Sequence, residues 1–178
     1  MSERLVLVLG GTRSGKSRFG QARAAALAAG RSVTYLATAW PGDPELDRRI
    51  AGHRAARPAD WRTVQVGPDL AGVMRDLPDD EVVLLDGLTL WVSGLVGDEP
   101  PDTDALLDGP VADVLAAVAD HRGPVVVVSD EIGLGLVPLD PLSRAFRDLQ
   151  GIVHQRIAAV ADEVHFMVAG LPLTVRDR

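Results

Sequence analysis

No cysteine occurs in the 178-residue chain. That absence excludes disulfides, a thiolate metal site and a cysteine nucleophile. Aromatic residues make up only 4%, so the core must be built largely from Ala, Val and Leu. No apolar run reaches transmembrane length. Positive charge is scarce: 18 Lys and Arg stand against 25 Asp and Glu, a formal net charge of −7. That balance favours solubility and argues against general nucleic-acid binding. Aromatic residues set among basic ones, as on a single-strand-binding surface, are missing too. Internal repeats and low-complexity tracts are absent. The first apolar stretch is too short for a signal peptide and runs directly into a glycine-rich turn, so a cytoplasmic location is the default expectation.

What remains fits an ordinary globular chain, with 47% hydrophobic residues and a length suited to one α/β domain over residues 1–178. Apolar runs at 5–9, 32–38, 61–66, 82–86, 125–129 and 163–169 read as strands, the last of these as the final core strand. Helix-like segments fall at 17–29, from Asp43 to about Ala56, at 88–95, 111–120 and 141–161. Segment 97–110, rich in acids, Pro and Gly, reads as an exposed loop with a short helical part. Alternating apolar strands and helices imply a mostly parallel sheet covered on both faces, with its sites at the carboxyl ends of the strands.

One of those ends carries Gly10, Gly11, Thr12, Arg13, Ser14, Gly15, Lys16 and Ser17. This is the P-loop pattern G-x-x-x-x-G-K-S, set between a strand and a helix. Glycines let backbone N–H groups turn inward around a phosphate chain. Lys16 then reaches the β- and γ-phosphates, and the Ser17 hydroxyl helps hold Mg²⁺. The expected fold is therefore a P-loop NTPase-type three-layer α/β sandwich with a mostly parallel central sheet. Such a site needs an acid at the end of a neighbouring strand. Asp86 follows four apolar residues and fits. Asp130 and Glu131, after 125–128, either share that role or merely mark where a buried strand reaches solvent.

A basic island lies between Asp47 and Arg57, with Arg48, Arg49 and Arg54 inside it and His53 among them. Arginine suits bidentate phosphate contacts. By spacing alone His53 reads first as a half-buried histidine sharing a helix face with Leu46 and Ile50. The sharper reading is a nucleophile that attacks an α-phosphate and forms a phosphoramidate. His121, His154 and His165 are weaker candidates.

Five segments converge in order: GGTRSGKS at 10–17, RIAGHRAARPADWRTV at 49–64, LLDGLTLWV at 84–92, SDEIGLGLVP at 129–138 and FRDLQGIVHQRIA at 146–158. Together they resemble the bifunctional adenosylcobinamide kinase / adenosylcobinamide-phosphate guanylyltransferase family of cobalamin biosynthesis, over nearly the whole chain. The resemblance implies phosphorylation of the corrinoid adenosylcobinamide by ATP or GTP. It also implies transfer of GMP from GTP to that phosphate through a histidine, a role that falls on His53. It further implies Mg²⁺ at Ser17 and Asp86, and a homotrimer. Lys16 and Asp86 join His53 as catalytic candidates, and Arg49, Arg54 and Arg57 join the P-loop as nucleotide-binding ones. The chain departs from the family pattern at Asp130 and His154, where Asn is usual, at Gln65, where Glu is common, and at Gly87 and Gly94. A P-loop small-molecule kinase, or a nucleotide-binding module without guanylyl transfer, is the alternative reading.

Overall fold

The computed structural model describes residues 4–39, 42, 48, 51, 52, 54 and 57–178. Its centre is a seven-stranded sheet. In chain order the strands are β1 (Leu5–Gly10), β2 (Val33–Ala37), β3 (Arg62–Gln65), β4 (Val82–Asp86), β5 (Val125–Asp130), β6 (Glu163–Val168) and β7 (Leu171–Asp177). They lie side by side as β3-β2-β4-β5-β1-β6-β7. Pairing is parallel from β3 to β6, and β7 runs antiparallel to β6.

The apolar runs are continuous because both faces of the sheet are covered. Alternation sends Leu5, Leu7, Val83, Leu85, Val125 and Val127 to one face and Val6, Val8, Val82, Leu84, Val126 and Val128 to the other. Each side chain so buried contributes about 1.5–3 kcal/mol. The first face is covered by α2 (Leu70–Arg75), α3 (Leu88–Val96), α5 (Ala112–Asp120) and α6 (Pro141–Val160), with α4 (Thr103–Leu106) and a segment kinked at Gly109, Leu107–Val111, alongside. The second face packs against α1 (Lys16–Ala28) through Ala24 and Ala28.

Helix α1 comes very close to the strands. A Cβ on Gly20 would lie 2.5 Å from Val128 Cγ2 and 3.6 Å from Leu84 Cδ1. This absence of a side chain seats the helix, and so the loop before it, directly against β4 and β5. Long helix α6 buries Leu149, Gln150, Val153, His154 and Ile157 on one stripe. Its start is fixed by Pro141 and by Asp140, whose carboxylate accepts from Ser143 N at 2.7 Å.

The strand expected to be last, at 163–169, is followed by another. Ala169 and Gly170 have φ of 51° and 83° and join Val168 to Leu171, which pair across the hairpin. Two left-handed residues make a type I′ turn. The expected helix from Asp43 lies mostly outside the described residues, as do Arg49 and His53. Arg48, Ala51, Gly52 and Arg54 are described and helical.

Candidate active site

Strand β1 delivers the chain at Gly10 to a loop whose backbone is folded for anion binding. Arg13 has φ 58° and Gly15 φ 91°. Ser14 N donates to Gly11 O at 3.2 Å, and Phe19 N to Gly15 O at 3.0 Å. No side chain caps α1 at Gly15, and no acid lies in its first turn. Asp69 and Asp140 cap α2 and α6, Gly87 leaves α3 uncapped as well, and the open end of α1 is the one preceded by the glycine-rich loop. Its uncapped N–H groups and dipole favour a bound phosphate.

The loop is the floor of a cleft of about 740 Å³, lined by residues 12–18, Gly52, Ala169 and Gly170. Three segments distant in sequence therefore meet: the P-loop, the residue preceding His53, and the β6–β7 turn. The turn is fastened to the loop, with Gly170 N donating to Ser14 O at 3.0 Å. A Cβ on Gly15 would come within 3.3 Å of Gly170 Cα, which is one reason glycine occupies that place.

Lys16, the only lysine in the sequence, is mostly buried. Its ammonium pairs with Asp130 Oδ1 at 2.5 Å and donates to Gly11 O at 3.3 Å. Asp130 lies opposite Gly10 in the β1–β5 register, so adjacent strands bring the two charges together. On the other side of β5, Ser17 Oγ donates to Asp86 Oδ1 at 3.1 Å. Tyr35 donates its phenol to Asp86 Oδ2 at 2.8 Å. Burial, and then the nearby Asp86 carboxylate, push the Tyr35 phenol far up, so it stays a neutral donor. The Arg57 guanidinium lies 3.2 Å from the centre of the Tyr35 ring and donates to Thr63 Oγ1 at 3.2 Å. Arg57 is thus engaged with Tyr35 on β2, while Arg54 is exposed.

Nothing in the sequence pointed to Tyr35. A strand tyrosine beside a strand-end acid becomes visible only once β2 and β4 are known to pair, Tyr35 and Asp86 lying two positions apart in register. Gln65 has a defined role as well. Its amide donates to Ala37 O and Ala39 O, each at 2.8 Å. This ties β3 to the chain leaving β2, and a carboxylate could not do it.

His154 lies away from the cleft lining in a buried polar knot. Its Nε2 is 2.8 Å from Ser129 Oγ and 2.7 Å from Gln150 Nε2. Ser129 is 3.0 Å from Thr89 Oγ1, which accepts from Asp130 N at 2.7 Å. Burial lowers the His154 pKa, against the opposing pull of Glu131 and Asp130. The knot fixes the backbone that carries Asp130. His121 Nε2 lies 2.8 Å from Glu81 O, and His165 bonds Glu163 at 3.0 Å.

This geometry is that of a nucleoside-triphosphate site with a strand-end acid. A family model described as cobinamide kinase / cobinamide phosphate guanyltransferase matches residues 6–175. The chain belongs to this family. The bifunctional adenosylcobalamin biosynthesis protein CobP of Pseudomonas aeruginosa is 44% identical over 171 residues, covering 96% of each chain. CobU of Escherichia coli is 36% identical over 183 residues, covering 97% of this chain and 99% of its own. Among solved structures, the flagellar accessory protein FlaH of Methanocaldococcus jannaschii aligns with a TM-score of 0.53 at 16% identity, over 98% of this chain and 79% of that one. A second solved structure, an ATPase domain, aligns with a TM-score of 0.51 at 15% identity, over 92% of this chain and 68% of that one. These two likenesses show the fold alone. They agree with the P-loop three-layer sandwich read from the sequence of this family member. Among the described residues, no helix is long and apolar enough to cross a membrane.

Proposed function

We propose that this protein phosphorylates the aminopropanol hydroxyl of adenosylcobinamide with ATP or GTP, and then transfers GMP from GTP to that phosphate, giving adenosylcobinamide-GDP and pyrophosphate. One observation carries the guanylyl half: Gly52, the immediate neighbour of His53, lines the same cleft as the P-loop. His53 follows Gly52 in the sequence, and the family resemblance gives it the guanylyl-transfer role. Lys16 binds the β- and γ-phosphates after giving up Asp130. Arg13 lines the same cleft, and Arg49 and Arg54 belong to the segment that carries His53. Catalysis on such a loop is mostly positioning and charge stabilisation.

Ser17 and Asp86 suit Mg²⁺. Their oxygens are 3.1 Å apart. No group of three or more His or acidic side chains among the described residues is arranged to hold a metal by itself. Mg²⁺ commonly takes one or two protein ligands and completes its shell with phosphate oxygens and water. When bound, it neutralises charge on the triphosphate.

A homotrimer in the cytoplasm completes the proposal. Leu134, Leu136, Val137 and Leu139 after β5, and Leu171, Leu173 and Val175 on β7, are exposed. Apolar side chains grouped in water in this way support a subunit contact.

The test is covalent labelling with Mg²⁺ and GTP labelled at the α-phosphate, followed by denaturation. Wild type is expected to retain an acid-labile, alkali-stable GMP adduct, and His53→Ala none. A folded wild type that binds GTP yet forms no adduct would remove the guanylyltransferase half and leave a kinase.

A further inference from the structure

The helix behind the phosphate loop carries a cation that the scheme above does not use. Arg18 is exposed, stands in the first turn of α1 and lines the cleft. Its Nη2 is 4.0 Å from where a Cβ on Gly15 would lie, and 3.6 Å from where one on Gly170 would lie. The guanidinium thus reaches over the loop to the β6–β7 turn. Of the two other cations that line the cleft, Lys16 is paired with Asp130 and Arg13 is exposed on the loop itself. Among the described residues, Arg18 has no hydrogen-bonding or ionic partner. An unpaired guanidinium beside an uncapped helix end is a second anion contact within one cleft.

Its place along a triphosphate follows from the loop. Lys16 addresses the β- and γ-phosphates, and the backbone N–H groups cradle the α and β. Ser17 faces Asp86, the metal side. Arg18 meets neither acid and leans over Gly15 and Gly170 instead. We propose that Arg18 holds the α-phosphate of the donor and so serves guanylyl transfer more than phosphoryl transfer. This rests on the bifunctional reading.

In guanylyl transfer a ring nitrogen of His53 forms a bond to the α-phosphorus while the bond from that phosphorus to the bridging oxygen breaks. Pyrophosphate leaves with the electron pair. A phosphate oxygen of adenosylcobinamide phosphate then bonds to the same phosphorus, and the imidazole departs. The N–H on the second ring nitrogen stays in place, so the imidazole leaves neutral. Both displacements gather negative charge on the α-phosphoryl oxygens, where a guanidinium can donate two hydrogen bonds while keeping its own proton. In phosphoryl transfer the reacting phosphorus is the γ, and Arg18 serves only to hold the donor.

The experiment compares wild type, Arg18→Met and Arg18→Lys, with melting temperatures to establish folding. Three readouts are taken: GMP-adduct formation from GTP, kinase kcat and KM for ATP with adenosylcobinamide, and the Kd for GMP, whose single phosphate is the α. Arg18→Met is expected to slow adduct formation about a hundredfold, with partial recovery in Arg18→Lys. Kinase kcat should fall at least tenfold less than adduct formation, with the larger change in KM, and GMP affinity should drop about tenfold, the loss of one charge-assisted contact. Unchanged adduct formation, or equal kcat losses in both reactions, would overturn the proposal. Should wild type form no adduct, the bifunctional reading fails by itself. GMP then decides Arg18: a tenfold loss of affinity keeps the α-phosphate assignment, and an unchanged Kd removes it.

Discussion

Replacing Glu163 by Gln should cost this protein stability in a way that pH can read. Glu163 is 2% exposed at the start of β6. Arg4 Nε lies 2.5 Å from its Oε1, Arg23 bonds both of its oxygens, and His165 is 3.0 Å away. Burial alone would raise its pKa. Hydrogen bonds from Arg23 and His165, with the charges of Arg23 and Arg4, overcome burial and lower it from 4.5 to about 2. At about 1.4 kcal/mol per pH unit, that difference is worth about 3 kcal/mol of folding stability. The folded-state pKa is depressed, so the contribution is fully present above pH 4.5 and is lost as pH falls towards 2. Urea unfolding followed by circular dichroism is the assay, run on wild type and Glu163→Gln from pH 7 to pH 2.5. At pH 7 the variant should be about 2–3 kcal/mol less stable, a drop of about 5–10 °C in Tm for a chain of this size. Acidification should close the gap. Glu163 lies about 20 Å along β6 from the turn that walls the cleft, so KM for nucleotide should not move. A variant as stable as wild type at pH 7, or a gap that persists unchanged at pH 2.5, would refute the reasoning.

Gly20→Ala tests the seating of α1. Alanine gains about 1 kcal/mol of helix propensity, but its methyl would meet Val128 Cγ2 at 2.5 Å in a buried, stiff, β-branched neighbour. Overpacking of this kind costs about 1–3 kcal/mol, so Tm should fall, and a rise would show that the helix can lift off without loss. Tyr35→Phe removes the donor to Asp86 Oδ2 and leaves the ring under Arg57. The Mg²⁺ concentration for half-maximal activity should rise severalfold with little change in Tm, and an unaltered Mg²⁺ titration would separate Tyr35 from the metal side of the site.

The parts of the fold legible in the sequence were those with short-range causes. The P-loop declares itself by spacing, and β1, β4 and β5 by unbroken apolar runs that only a doubly covered sheet permits. Strand β7 gave no such signal. Leu171, Leu173 and Val175 alternate, but they face solvent, Pro172 interrupts the run, and the turn before it is Ala-Gly rather than the usual Asn-Gly or Asp-Gly. Helix α2 spans only Leu70–Arg75, too short for helical periodicity to show. The order of the strands was hidden as well, and with it the pairings that bring Tyr35 to Asp86 and Asp130 to Lys16. Asp130 is the instructive case. Its position at a strand end was plain, but its use as the partner of the P-loop lysine depends on β5 lying beside β1.

The Lys16–Asp130 pair has a practical consequence, because no other lysine exists in the sequence. A protease specific for lysine has one peptide bond to cut, and it lies inside the phosphate loop. Amine-directed chemistry likewise has one side chain to find, mostly buried beside Asp130 and, in the proposed binding mode, covered altogether when a triphosphate arrives. Counting modified lysines is therefore a titration of empty nucleotide sites. Conversely, immobilising this protein through its lysine side chain blocks the site one would wish to study.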